Sequence, residues 1–436
     1  MNSLLDRRLG LTDAVVVGLG AMIGAGVFVA FAPAAARAGS LVWASLAVAA
    51  VVAVCNALSS ARLAAHYPSA GGTYVYGREL LGPLPGFLAG WGFVVGKTAS
   101  CAAMALTVGL YIWPKHANLV AAAAVVALTT LSVFGVQRTA TASKVLVAVV
   151  LTVLAVFVVA AFLADGGSAA GAGAVGDLQP PIDDEAWPAR ALGVLGGAGF
   201  CFFAFAGYAR IATLGEEVRN PARTIPRAVI VAISVVIVVY ALVLAATVNV
   251  LGVSGVAAGP APVLDAAEHL GAGFGGSGAL ATGVRIAAGI AALGALLGGT
   301  LGVSRTTLAM ARDRYLPAPL AVVHPTSRTP YVAEICVGVL VTGIVLVADV
   351  REAIGFSSFA VLVYYLVANT AALRLGRQRR RLPAWVPVFG AIGCVVVAGS
   401  LPWRSLVGGV VVFVVGALVY AVTRRKAVRP GVTSRE

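Results

Sequence analysis

Charge is what this sequence has least of. Only 11% of its 436 residues are Asp, Glu, Lys or Arg, whereas a soluble globular chain carries about a quarter. Sulfur is scarce too. The five cysteines, Cys55, Cys101, Cys201, Cys336 and Cys394, fall singly inside apolar runs with no metal-ligand spacing. That argues against a disulfide framework and against a metal centre. The four histidines, His66, His116, His269 and His324, fall in different loops, so neither a metal motif nor a nucleophile–base constellation forms. Gly18-x-Gly20 lacks the strand–turn–helix setting of a nucleotide loop. These absences speak against an enzyme, and no cofactor is expected.

What is present is apolar. Hydrophobic residues make up 60% of the chain, and the mean hydropathy is +0.96. Runs long enough to cross a bilayer recur from end to end. Twelve spans are expected, at roughly 11–36, 41–63, 84–111, 117–136, 143–163, 192–214, 228–251, 283–310, 331–349, 354–374, 385–401 and 405–423. The chain is therefore an all-α integral membrane protein, read as one transmembrane domain. The first run follows Arg7 and Arg8 and is too long for a signal h-region, so it is expected to stay as an uncleaved span.

An even number of spans puts both termini on one side. Basic residues crowd one set of loops and termini, including Arg78, Lys144, Arg219, Arg305 and Arg424, while few lie opposite. That set is expected to face the cytoplasm of a cell-membrane protein. The same bias accounts for the net charge of +14. The "RLGRQRRR" run at 374–381 is read as an anchor to anionic membrane lipid, and no nucleic acid is expected. On the outer side, "PVLDAAEHL" is expected to form a short helix over the mouth. A channel would want repeated polar constrictions, and none is visible.

The first span carries Gly18, Gly20, Gly24 and Gly26 in "GLGAMIGAG", although glycine is a poor helix former. Two readings stand side by side. Small residues let two helices touch closely. Alternatively, the helix is interrupted there and its free backbone groups form a ligand site at mid-membrane. The sixth span favours interruption, because Ala204, Ala206 and Gly207 sit at its centre between Phe203, Phe205 and Tyr208. Paired interruptions in two halves of a chain point to a transporter site.

Three segments carry a family resemblance over nearly the whole length: "GLGAMIGAGVF", "FFAFAGYARIATLGEEVRNPARTIPRAV" and "SRTTLAMARDRYLPAPLAVVHPTSRTPYVA". With them the chain resembles the amino acid–polyamine–organocation transporters. That resemblance implies a LeuT-type fold of two inverted five-helix repeats, here 11–163 and 192–374, with helices 1 and 6 discontinuous and two further helices over 385–423. It also implies a small-molecule amino acid substrate. The substrate carboxylate would rest on the amides around Gly24, Ala25 and Gly26. Its ammonium would rest on carbonyls of Phe203, Ala204 and Ala206, with Phe203 as an outer gate. Side-chain selectivity is expected from Met22 and Ile23, Cys101 and Met104, and Ser357 and Ser358.

Coupling needs a titratable or ion-binding group. No acidic residue falls near a span centre, while Lys97 lies about 20 Å into span 3 at helical rise. Desolvation lowers a lysine's pKa, so Lys97 is a candidate proton carrier. A fixed positive charge held by carbonyls is the competing reading. Several relatives carry a lysine in span 5, where this chain has Val150; Lys144 falls about two turns earlier, at the solvated end. Arg210 keeps its proton and disfavours cationic substrates, which leaves neutral amino acids first and acidic ones next. Sodium coupling through Thr300 or Ser304, and exchange instead of proton symport, stay open. Glu216 and Glu217 close span 6 among Arg219, Arg223 and Arg227, as an inner gate or as a solvated loop.

Overall fold

The computed structural model describes residues 9–67, 71–135, 140–164, 187–215, 217–273, 278–325, 329–375 and 383–428. Among these residues the chain is almost wholly helical. Ten helical segments are long and apolar enough to span a bilayer, and two shorter apolar helices, Tyr331–Val347 and Trp385–Gly399, take the positions of spans 9 and 11. This is the all-α membrane architecture expected from the sequence. A bilayer core offers no water to backbone groups, so each span satisfies its own.

Span 1 comes in three pieces, Leu11–Met22, Gly26–Val29 and Phe31–Ala38. Span 6 runs as Trp187–Phe205, tightens into a 3-10 turn over Ala206–Tyr208, and ends as Ala209–Ala212. Other boundaries moved outward from their expected positions. Span 3 begins at Pro83, after Gly82, whose φ of 109° suits only glycine. Span 7 extends over Pro221–Ala258 and breaks at Gly252, where φ is 68°. Span 8 covers Ala279–Arg312. A helix over Thr73–Leu81, between spans 2 and 3, is amphipathic and too short to span, and hydropathy alone did not reveal it. The short helix expected at "PVLDAAEHL" is present at Pro262–Gly273. Its Glu268 takes Arg285 of span 8 at 2.5 Å.

Span 3 packs along spans 8 and 10, and span 6 along span 2 and the outer piece of span 1. The inner piece of span 1 lies against spans 5 and 7. Lys144, expected to be merely solvated, reaches Asp13 at 2.6 Å and ties spans 1 and 5 together. Bulky apolar side chains left exposed on spans 4, 5, 9, 11 and 12, among them Leu119, Phe162, Val347, Phe389 and Leu418, form the surface that lipid would cover.

Candidate functional site

The site begins where span 1 stops. Ile23 closes the inner piece by donating its amide to Leu19 at 2.7 Å, and its ψ of 56° turns the chain off the helical path. The next three amides, of Gly24, Ala25 and Gly26, donate to no backbone carbonyl among the described residues. All three residues are buried. The great majority of buried N–H groups are paired, so these three in succession leave donors available to an acceptor. The field of the piece that follows favours negative charge there.

Glycine is required at this break for proximity. A Cβ on Gly26 would fall 2.5 Å from Cα of Ala204, and one on Gly24 2.6 Å from Cβ of Ala295. On span 6, a Cβ on Gly207 would fall 2.3 Å from the Ala21 carbonyl oxygen. Both readings of the glycine run therefore hold at once. The helix is interrupted, and spans 1 and 6 touch backbone to backbone at the interruption.

The second break is gentler. Phe205 keeps helical φ/ψ, and the 3-10 turn of Ala206–Tyr208 merely tightens the winding. A 3-10 stretch inside a helix misaligns its carbonyls, freeing them for other donors. The hydroxyl of Tyr240, from span 7, lies 2.6 Å from the Met22 carbonyl and 2.9 Å from the Ala204 carbonyl. One proton thus serves the broken ends of both spans. The Ala206 carbonyl meets Tyr365 of span 10 at 3.3 Å and Lys97 Nζ at 3.5 Å. Lys97 has no carboxylate within ion-pair distance among the described residues. Phe203 is buried.

A cavity of about 340 Å³ opens on the basic side of these breaks. Its inner end reaches Ala21, Gly207 and Lys97, and its mouth is bordered by Leu9, Glu217 and Arg305. Ile23, Gly24, Ala25, Gly26, Phe203, Ala204 and Ala206 sit just beyond its inner end and do not line it. Of the expected site residues, the cavity gathers Lys97, Glu217 and the selectivity candidate Met104. It adds Arg210, which also reaches Thr213 at 3.3 Å. Glu216 lies outside the described residues. Leu9 donates its amide to the Glu217 carbonyl at 3.0 Å, and the Arg219 amide donates to the Leu9 carbonyl at 2.9 Å, so the start of span 1 and the segment after span 6 are joined.

Sequence reasoning missed Tyr240, Tyr365 and Arg305. The signal for the tyrosines was available, since a lone hydroxyl in an apolar span must find a partner. Arg305 was counted only toward the charge bias. Among the described residues no three metal-ligating side chains cluster.

The comparisons agree with this picture. The sequence profile of a family described as amino acid permease matches residues 9–429. An uncharacterised transporter of Mycobacterium tuberculosis is 56% identical over 420 residues, covering 96% of this chain and 92% of the relative. A branched-chain amino acid permease of Bacillus subtilis is 26% identical, with 97% and 94% covered. A cationic amino acid transporter of Arabidopsis thaliana chloroplasts is 28% identical, with 85% and 66% covered.

Proposed function

The chain belongs to the amino acid permease family, and from that premise we propose that it imports neutral amino acids across the cell membrane by alternating access, coupled to protons. The observation that carries the proposal is the run of buried, unpaired amides at Gly24, Ala25 and Gly26 pressed against span 6. A zwitterion in a low-dielectric site needs an anion cradle and a carbonyl cluster close together. Gly24–Gly26 would receive the carboxylate. Carbonyls of Phe203, Ala204 and Ala206 would receive the ammonium, with Ile23 beside them and Phe203 closing the outer path. The repeats at 11–163 and 192–374 would supply one break each, with 385–423 as a flanking pair. With the basic side cytoplasmic, both termini are inside and the cavity is the inward vestibule.

Substrate class follows from the lining. Among the described residues the cavity lining carries Lys97, Arg210 and Arg305 against one carboxylate, Glu217, which disfavours cationic amino acids. Lys97, at the deep end of the cavity, would exchange its proton with the cytoplasm. A second reading, obligate exchange with Lys97 as a fixed charge, draws on its contact with the Ala206 carbonyl.

Proteoliposomes separate these readings. Radiolabelled leucine should accumulate in vesicles empty of amino acid under an inward proton gradient, and arginine should not. Uptake that requires leucine inside would establish exchange instead. Failure of every amino acid to enter or to stabilise the purified protein would overturn the transport reading.

A further inference from the structure

A carboxyl unused by this scheme lies in the first turn of span 9. Glu334 is only 3% exposed, and among the described residues neither of its oxygens has a hydrogen-bond partner. Ser132 of span 4 stands beside it without an aligned bond, its own hydroxyl likewise unpartnered. An ionised carboxylate held this way is strongly disfavoured, whereas a protonated one is tolerable. Among the described residues the charges around it are few. Span 4 carries none over its described residues, and the 318–321 turn packed on span 9 carries none. Span 3 offers only Lys97, which belongs to the cavity. His324, in the preceding loop, stacks edge-on against Tyr331. From span 8, Arg305 is near enough for its charge to act on Glu334.

Arg305 has a second carboxylate to choose. It stands 3.9 Å from Glu217, at the limit of an ion pair, across the mouth of the vestibule. We propose that Glu334 is a proton-binding site whose ionisation takes Arg305 away from Glu217. When Glu334 holds a proton, Arg305 bridges to Glu217 and draws spans 8 and 6 together over the mouth. When the proton leaves to cytoplasmic water, the new anion needs a counter-ion and Arg305 turns to it, freeing the mouth. The inference rests on the transporter reading for its purpose. It names a second site of proton exchange, separate from Lys97 and from the amino acid.

The test uses no amino acid, so its failure and the failure of the permease reading are separate results. Ser143 lines the cavity. A Ser143→Cys thiol in inside-out vesicles is labelled with a membrane-impermeant maleimide. Rates are normalised to those of Val322→Cys, at an exposed position. Raising the pH from an acidic to an alkaline value should increase labelling several-fold. Glu334→Gln, which mimics the protonated carboxyl, should keep labelling low at both values. Glu217→Gln should keep it high at both. Arg305→Gln, at a half-exposed residue whose loss leaves packing intact, should abolish the pH response, and it serves if Glu334→Gln does not fold. A wild-type response that survives in Glu334→Gln or Arg305→Gln overturns the proposal, as does a wild type with no response.

Discussion

Replacing Gly26 with alanine tests the heart of the site. The added Cβ would lie 2.5 Å from Cα and 2.6 Å from Cβ of Ala204, where ordinary contact begins at 3.4 Å. Spans 1 and 6 must therefore part by close to 1 Å, measured against that contact distance. Overpacking of this kind costs about 1–3 kcal/mol. Alanine returns about 0.5–1 kcal/mol as the better helix former, and Gly26 has no positive φ to forbid it. The net penalty is about 1–2 kcal/mol and falls only on the state in which the two spans touch. A conformer with spans 1 and 6 separated on the outer side escapes it, so its population should rise about 5–30-fold. Spin labels at Lys115→Cys and His269→Cys, both exposed at the outer ends, would report this in a Cys336→Ala background. Double electron–electron resonance should show growth of a longer distance in Gly26→Ala. Gly343→Ala, where a Cβ meets nothing within 4 Å, should leave the distribution alone. Identical distributions and melting temperatures for Gly26→Ala and wild type would refute the reasoning.

Three further outcomes are expected. Tyr240→Phe keeps the ring against Phe31 and Phe205 but strips both broken ends of their shared proton. It should destabilise by about 1–3 kcal/mol and speed amide exchange around residues 23–26 more than elsewhere, as read by hydrogen–deuterium exchange. Lys97→Gln should flatten the pH dependence of leucine uptake, and an unchanged profile would remove Lys97 from coupling. Asp265 sits outside the spans, and burial, then the neighbouring Glu268, raises its carboxyl above the usual 3.8. The folded state thus disfavours its anion, a penalty complete above the raised value and absent below the unfolded one. Asp265→Asn should raise the melting temperature near neutral pH and lose that advantage as the pH falls toward about 4.

The spans were legible because hydropathy is a local property. A run of apolar residues of bilayer length has one stable fate in lipid, whatever its neighbours are. The break in span 1 was legible because Gly24 and Gly26 stand out against that background. The form of the second break was less so. Ala206–Gly207–Tyr208 promised an interruption, and the chain delivered a tightened turn. The Thr73–Leu81 helix escaped notice because its alternating polar face carries no hydropathy signal. Lys144 looked solvated in sequence and turned out to hold Asp13, a pairing across more than a hundred residues that no local pattern records.

By itself the sequence determined that this chain is a many-span membrane helix bundle of the permease family, with flexible small residues at two span centres and a solitary lysine in a third. Only the tertiary structure decided which groups meet. It set one tyrosine proton between the carbonyls of Met22 and Ala204. It laid Gly26 on Ala204, and it set Arg305 3.9 Å from Glu217 on a helix packed against the one that carries the buried Glu334. The reason is physical. Insertion into lipid depends on the summed transfer of each segment from water, whereas a site depends on distances between segments, which packing alone sets.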